Sequence, residues 1–225
     1  MEKSHFQKYI KYKNKYLNLV QHFGGTFEKC SSPSQIRGDA QTPIYVFDDF
    51  LSSDECDKVI ESIQEKLENS KVTRDNGDKY FRTNRTGYFD MHNELHKNIQ
   101  QRICNLVNVD ITQAEWGQIQ HYLKGQEFKP HYDYFQSGLD DEYMANGGQR
   151  TYTIMVYLNM VLQGGGTNFV KLNQKFLPKR GQAIVWSNLR NDGSVDERTL
   201  HQGQPVEKGE KYIITVWCRE KKIQR

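Results

Sequence analysis

The feature that most constrains this chain is a change of period near residue 115. Before it, apolar residues recur at helical spacing; after it, short runs of β-formers alternate and are punctuated by Gly and Pro. A strand, Ile44-Tyr45-Val46-Phe47, comes first. Ser52 followed by Glu55 then forms a capping box, and Val59, Ile60, Ile63 and Leu67 give the next helix one apolar stripe. A second helix is expected from about His92, with Leu95, Ile99, Ile103 and Leu106 inward. Strands are expected over 116–123, 130–134, 151–158, 167–172, 182–187 and 211–218. Helices first and strands afterwards predict an α+β domain in which N-terminal helices support a β-sandwich or jelly roll.

Outside that body, Phe6, Ile10, Leu17 and Val20 give residues 3–22 a helical period that ends at Gly24-Gly25. Residues 26–42 are polar and marked by Gly, Pro and Ser, which predicts a linker. The division is therefore 1–43, a basic helix and linker, and 44–225, the body. Residues 70–80 form a polar loop. Charge divides along the same line. The first 23 residues hold Lys3, Lys8, Lys11, Lys13 and Lys15 against Glu2, so a net charge of +3 for the chain leaves about −1 elsewhere. No surplus marks a nucleic-acid surface, and nucleic acid is not expected as a partner. No apolar stretch approaches the length of a membrane span, and the leader lacks the apolar core of a secretory signal. A soluble, cytoplasmic protein without a membrane partner is expected. Cys30, Cys56, Cys104 and Cys218 form no CxxC pair, which argues against a zinc ribbon and for reduced thiols.

His131-Tyr132-Asp133 is where chemistry enters. HxD is weak as a motif in a chain with 7 His, but geometry strengthens it. Residues i and i+2 of a strand share a face, whereas on a helix they diverge. This pair follows Lys129-Pro130 in a strand-like segment, so both side chains can converge on one ion. His92-Asn93-Glu94 offers the same ligand types at the start of a helix, where they would point apart, and reads as capping chemistry. A third ligand is His201, ahead of the last strand. His, Asp and His with open positions is the facial triad of non-haem Fe(II) oxygenases. Taken alone, His201 reads more readily as an ordinary surface histidine.

The last strand, EKYIITVWC, decides between those readings. Alternation places Lys211, Ile213, Thr215 and Trp217 on one face. A lysine heading an inward apolar face is costly to bury without an anion. A dicarboxylate supplies one, chelating the metal at one end and pairing with the ammonium at the other. In TYTIMVYL, Thr153 and Tyr157 share a face and can offer hydroxyls to the same carboxylate.

These residues resemble the prolyl 4-hydroxylase family of Fe(II)/2-oxoglutarate-dependent dioxygenases. The run from Gln120-His121-Tyr122 to Pro130-His131-Tyr132-Asp133-Tyr134-Phe135 looks like that family's metal-binding block. Gly147-Gly148-Gln149-Arg150, Gly164-Gly165-Gly166-Thr167, Lys179-Arg180-Gly181, Leu200-His201-Gln202-Gly203, Lys211 and Trp217 follow in order. Phe81-Arg82-Thr83-Asn84 is similar to its Arg-Thr-Ser segment. The likeness spans about 44–221. It implies a double-stranded β-helix, iron at His131, Asp133 and His201, and 2-oxoglutarate on Lys211 assisted by Tyr122, Thr153 and Tyr157. It also places Arg150 and Trp217 near the peptide or cosubstrate, with loops 70–80 and 136–148 closing over the substrate. Implied cofactors are Fe(II), 2-oxoglutarate, O₂ and ascorbate, and the implied substrate is a proline-rich or collagen-like peptide. The alternatives are another substrate, such as methylated nucleic acid, or a non-catalytic binding module. Arg219 departs from the family by standing where some members place a histidine, and Val170 replaces a frequent proline. The leader KYIKYKNKYLNL resembles those on proteins of large DNA viruses, which would place the protein in host cytoplasm or virion.

Overall fold

The computed structural model describes residues 32–70 and 80–225. The helix expected over 3–22, the first part of the linker and Cys30, and most of the 70–80 loop lie outside them. The described residues belong to the compact unit Ser32–Arg225. It opens with β1 (Gln35–Gly38), β2 (Pro43–Phe47), α1 (Ser53–Ile63), β3 (Glu68–Asn69), β4 (Arg85–Tyr88) and α2 (Glu94–Val107). Next come β5 (Gln118–Tyr122), β6 (Phe128–His131), α3 (Asp141–Ala145), β7 (Arg150–Tyr157), β8 (Gln163–Gly164) and β9 (Thr167–Phe169). The chain closes with β10 (Gln174–Phe176), β11 (Ala183–Ser187), β12 (His201–Gly203), β13 (Val206–Lys208) and β14 (Lys211–Arg219).

Both helices start where their caps predict. The Glu55 backbone N–H donates to Ser52 Oγ (3.2 Å), and the Ser52 N–H donates to Glu55 Oε2 (2.8 Å). Asn93 caps α2 by accepting from the N–H groups of Leu95 and His96, and Asn108 ends it in the left-handed region at φ 55°. His92 therefore lies outside the helix and Glu94 in its first turn, as capping chemistry rather than ligands.

The strands form an eight-stranded sheet ordered β1-β2-β11-β7-β14-β5-β4-β3, a four-stranded sheet β10-β9-β12-β6, and the pair β13-β8. Period-two alternation sorts the large sheet's side chains between two cores. Ile154 and Val156 of β7, Val185 of β11, and Ile214 and Val216 of β14 join Val59, Ile63, Ile99 and Ile103 of the helices. Their neighbours Met155, Tyr157, Ile184, Trp186 and Ile213 join Phe169 and Phe176 of the small sheet. The result is a sheet-rich jelly-roll sandwich with α1 and α2 on the outer face of its large sheet.

The linker expected over 26–42 is corrected at its far end, because Gln35–Gly38 is the edge strand of the large sheet. It pairs antiparallel with β2 from Gln35↔Val46 to Gly38↔Pro43. All four of its residues are exposed, so no apolar alternation betrays it; main-chain pairing alone adds it. Gly38 adopts φ +84° in the connecting turn, where a Cβ would stand 2.3 Å from the Thr42 carbonyl oxygen. The compact unit thus begins at Ser32 rather than at residue 44. The strand expected over 167–172 ends at Phe169, and the chain turns through Asn173 at φ 50° into β10. No helix among the described residues is long and apolar enough to cross a membrane.

Candidate metal centre and cosubstrate cleft

Two strands of the small sheet bring the ligands together. β12 pairs antiparallel with β6 so that His201 lies opposite His131. The β6 strand ends at His131, three residues before the expected end at 134, and Asp133 sits in the bend just beyond it. The bend still returns the carboxylate to the histidines. His131 Nε2 lies 3.7 Å from Asp133 Oδ1, and His201 Nε2 lies 3.6 Å from Asp133 Oδ2. One ligand atom from each of the three residues falls within 4.8 Å of the others.

Hydrogen bonding tests whether this set suits a metal. His131 Nδ1 donates to the Lys129 carbonyl (2.7 Å), and His201 Nδ1 donates to the Thr199 carbonyl (2.9 Å). Each imidazole thereby keeps its proton on Nδ1 and aims an Nε2 lone pair inward. Burial, followed by the neighbouring His201, pushes His131 down to about 3, so it stays neutral and able to ligate. Burial pushes Asp133 up, but His201, His131 and Arg150 outweigh it and hold the carboxyl below its ordinary range. Two imidazoles that turn Nε2 inward and one carboxylate are the donor set that Fe(II) takes in a facial triad.

The triad lines a cleft whose walls also include Tyr122, Phe128, Thr167, Lys211 and Trp217. Lys211 is 1 % exposed and lies 4.9 Å from the centre of the Tyr122 ring. Burial alone pushes its ammonium down to about 7. The alternation read from the sequence holds: Lys211, Ile213, Thr215 and Trp217 all face the cleft.

Other expected contacts are redirected. Thr153 does not line the cleft; its hydroxyl donates to Asp133 Oδ2 (2.8 Å) and so orients that carboxylate. Tyr157 donates to Thr167 Oγ1 (2.9 Å) and the Phe176 carbonyl (3.2 Å), which turns its hydroxyl away into the small sheet. Tyr122 remains on the wall, with its hydroxyl on Gln120 Oε1 (2.7 Å). Arg150 is not a free fork for peptide carbonyls. It holds Glu115 through both Nε (2.7 Å) and Nη2 (2.6 Å), reaches the Asp133 carbonyl (3.3 Å), and lies 4.0 Å over the Trp217 ring. Trp217 lines the cleft, and its indole N–H lies beside Asp133, where it helps hold that carboxyl below its ordinary range.

Residues without an assigned role also appear. Phe128 stacks on the His131 ring at 3.5 Å and 13°, and the Arg82 guanidinium lies over the Phe128 ring at 4.8 Å. Thr167 carries a wall hydroxyl, and only its place after Gly164-Gly165-Gly166 could have marked it. Arg219 donates to the carbonyls of Gly148, Tyr143 and Asn146 and to Glu115 Oε1, fastening segment 136–148 to β14. That segment, expected as a loop, contains α3.

A jelly roll with a His-Asp-His triad and a lysine-ended cleft defines a 2-oxoglutarate-dependent Fe(II) oxygenase. Residues 117–219 match the 2OG-Fe(II) oxygenase superfamily. The chain belongs to the prolyl 4-hydroxylase family of these enzymes. It is 34 % identical over 182 residues to a prolyl 4-hydroxylase relative in Acanthamoeba polyphaga mimivirus, covering 80 % of this chain and 75 % of that one. It is 33 % identical to prolyl 4-hydroxylase 5 of Arabidopsis thaliana, covering 76 % and 66 %. The viral collagen prolyl hydroxylase of Paramecium Bursaria Chlorella virus-1, solved with 2-oxoglutarate, superposes with a TM-score of 0.63 at 28 % identity, covering 77 % of this chain and 94 % of that one.

Proposed function

We propose that this chain hydroxylates peptidyl proline at carbon 4, and that its substrate is an extended proline-rich or collagen-like segment. Lys211 carries the cosubstrate half of the reading. A buried cation at the end of a cleft that holds a metal triad calls for a dianion reaching from one to the other, and 2-oxoglutarate has that shape. Fe(II), 2-oxoglutarate and O₂ supply the oxidising chemistry, releasing succinate and CO₂ as a C–H bond becomes C–OH. The chain's own part is to orient. Lys129 and Thr199 carbonyls hold His131 and His201 with Nε2 turned inward, and Thr153 holds Asp133. Lys211 takes the far carboxylate, and the apolar wall of Ile213, Phe128 and Trp186 excludes water.

Trp217 supports the peptide half. Its indole ring lies on the cleft wall, an aromatic surface against which the ring of an extended proline segment can pack. Arg150 serves this contact from behind, through the Trp217 ring. The body's charge of about −1 gives a phosphate backbone nothing to bind. A reducing compartment, the cytoplasm, is the location proposed, because Cys56, Cys104 and Cys218 are buried free thiols. Proline-rich and Gly-x-Pro peptides, incubated with Fe(II), 2-oxoglutarate, ascorbate and O₂, should gain one oxygen on proline by mass spectrometry. Demethylation of methylated oligonucleotides, with every proline peptide unmodified, would overturn the substrate and leave the oxygenase standing.

A further inference from the structure

We propose that Asn188 is a positioning residue that couples two of the metal ligands, Asp133 and His201, through one buried hydrogen-bond circuit. The inference rests on the triad assigned above and goes beyond it.

The circuit's direction follows from donor inventory. An indole N–H can only donate, and Trp186 Nε1 lies 3.1 Å from Asn188 Oδ1. That contact fixes which end of the Asn188 amide is oxygen. Its Nδ2 then donates to Thr153 Oγ1 (3.0 Å), so the Thr153 hydroxyl is already an acceptor there. The single hydroxyl proton of Thr153 is left to point at Asp133 Oδ2 (2.8 Å). Asn188 thus decides where the Thr153 proton goes. The Asp133 carboxylate receives a donor on Oδ2, and its orientation toward the histidines is set.

The main chain of Asn188 closes the other half. Its carbonyl accepts from the Asp196 N–H (2.9 Å), and the Asp196 carbonyl accepts from the Thr199 N–H (3.1 Å) and Thr199 Oγ1 (2.7 Å). The Thr199 carbonyl then receives His201 Nδ1 (2.9 Å). Thr153, Asn188, Asp196 and Thr199 are all buried, so water cannot substitute for a missing partner. The same Trp186 that orients Asn188 packs edge-on against the His201 ring at 5.0 Å. Asn188 itself touches neither the metal site nor the cleft. Its influence runs through Thr153 on one side and the turn before His201 on the other.

Asn188→Asp keeps the shape and replaces the donor with an acceptor. The introduced carboxylate takes the Thr153 proton, and Asp133 loses its partner. Fe(II) affinity, measured anaerobically by calorimetry, should fall about 10- to 100-fold, the usual range for losing a partner of a metal ligand. Thr153→Val should show a similar loss, and Thr153→Ser should recover most of the affinity. In the Thr153→Val background, Asn188→Asp should add little, because the path is already cut. The Co(II) absorption spectrum should change in both single variants, a signature that loss of general stability would not produce. If Asn188→Asp fails to fold, the Val and Ser variants at 153 still decide. Wild-type Fe(II) affinity in Thr153→Val, or losses that add in full, would overturn the coupling while leaving the triad intact. A wild-type chain that binds no Fe(II) would instead overturn the triad, and this inference with it.

Discussion

Replacing Lys211 by Met should stabilise the metal-free protein and abolish cosubstrate binding at once. The side chain is fully buried beside the rings of Tyr122 and Tyr157, at 4.9 and 5.8 Å, and among the described residues no carboxylate pairs with it. Burial pushes it from the ordinary 10.5 down to about 7. That depression corresponds to about 5 kcal/mol against the charged form. The sign sets the pH window. Between about pH 7 and 10.5 the unfolded chain holds more protons than the folded one, so wild-type stability rises with pH across that range. Below pH 7 the full penalty stands. In urea unfolding at pH 6, Lys211→Met should therefore exceed wild type by up to about 5 kcal/mol, with the gap closing toward pH 10. 2-Oxoglutarate reverses the balance, because its far carboxylate restores the ammonium. Binding to wild type at pH 8 should take up about one proton, seen as a dependence of calorimetric enthalpy on buffer ionisation; at pH 6 the uptake should vanish. A Met variant less stable than wild type at pH 6, or binding at pH 8 with no proton uptake, would refute the reasoning.

Three further outcomes are expected. His131→Ala, Asp133→Ala and His201→Ala should each lose Fe(II) binding in equilibrium dialysis and lose 2-oxoglutarate turnover while keeping the fold, whereas replacing both His92 and Glu94 should leave Fe(II) binding unchanged. Tyr157→Phe should lower stability by about 1 kcal/mol in urea through its lost bonds to Thr167 and Phe176, yet keep 2-oxoglutarate affinity; a tenfold loss of affinity would restore Tyr157 to the cosubstrate. Arg219→Ala removes the donor shared by the Tyr143, Asn146 and Gly148 carbonyls while Arg150 still holds Glu115, so it should cost about 1–2 kcal/mol and speed proteolysis within 136–148, and an unchanged cleavage pattern would count against the clamp.

What the sequence determined by itself is what depends on local geometry and on a repeating period. Ser52 with Glu55 and Asn93 start the helices through bonds made within a few residues, and these are found where expected. Alternation along β14 placed Lys211, Ile213, Thr215 and Trp217 on one face, because side-chain direction in a strand depends only on parity. His131 was legible for the same reason, and His201 because a buried lysine downstream required an anion that a metal site could anchor; Asp133 lies past the end of β6, and the bend rather than strand parity returns it to the histidines.

The tertiary structure decided whatever depends on the partner opposite. β1 has no apolar pattern and exists only because β2 offers a main-chain edge. β8, β12 and β13 span two or three residues, too few for any period to show. Thr153 and Tyr157 share a face, yet their hydroxyls go to Asp133 and Thr167, and parity cannot say how far along a face an acceptor lies. Arg150 and Arg219 converge on Glu115, from distant parts of the chain. Asn188 is the furthest case: nothing in Trp186-Ser187-Asn188 marks it, and it gains its place only where β11 lies against β7 and the turn before His201 returns to meet it. A hydrogen-bond partner is a property of two segments in space, and a single sequence records only one of them at a time.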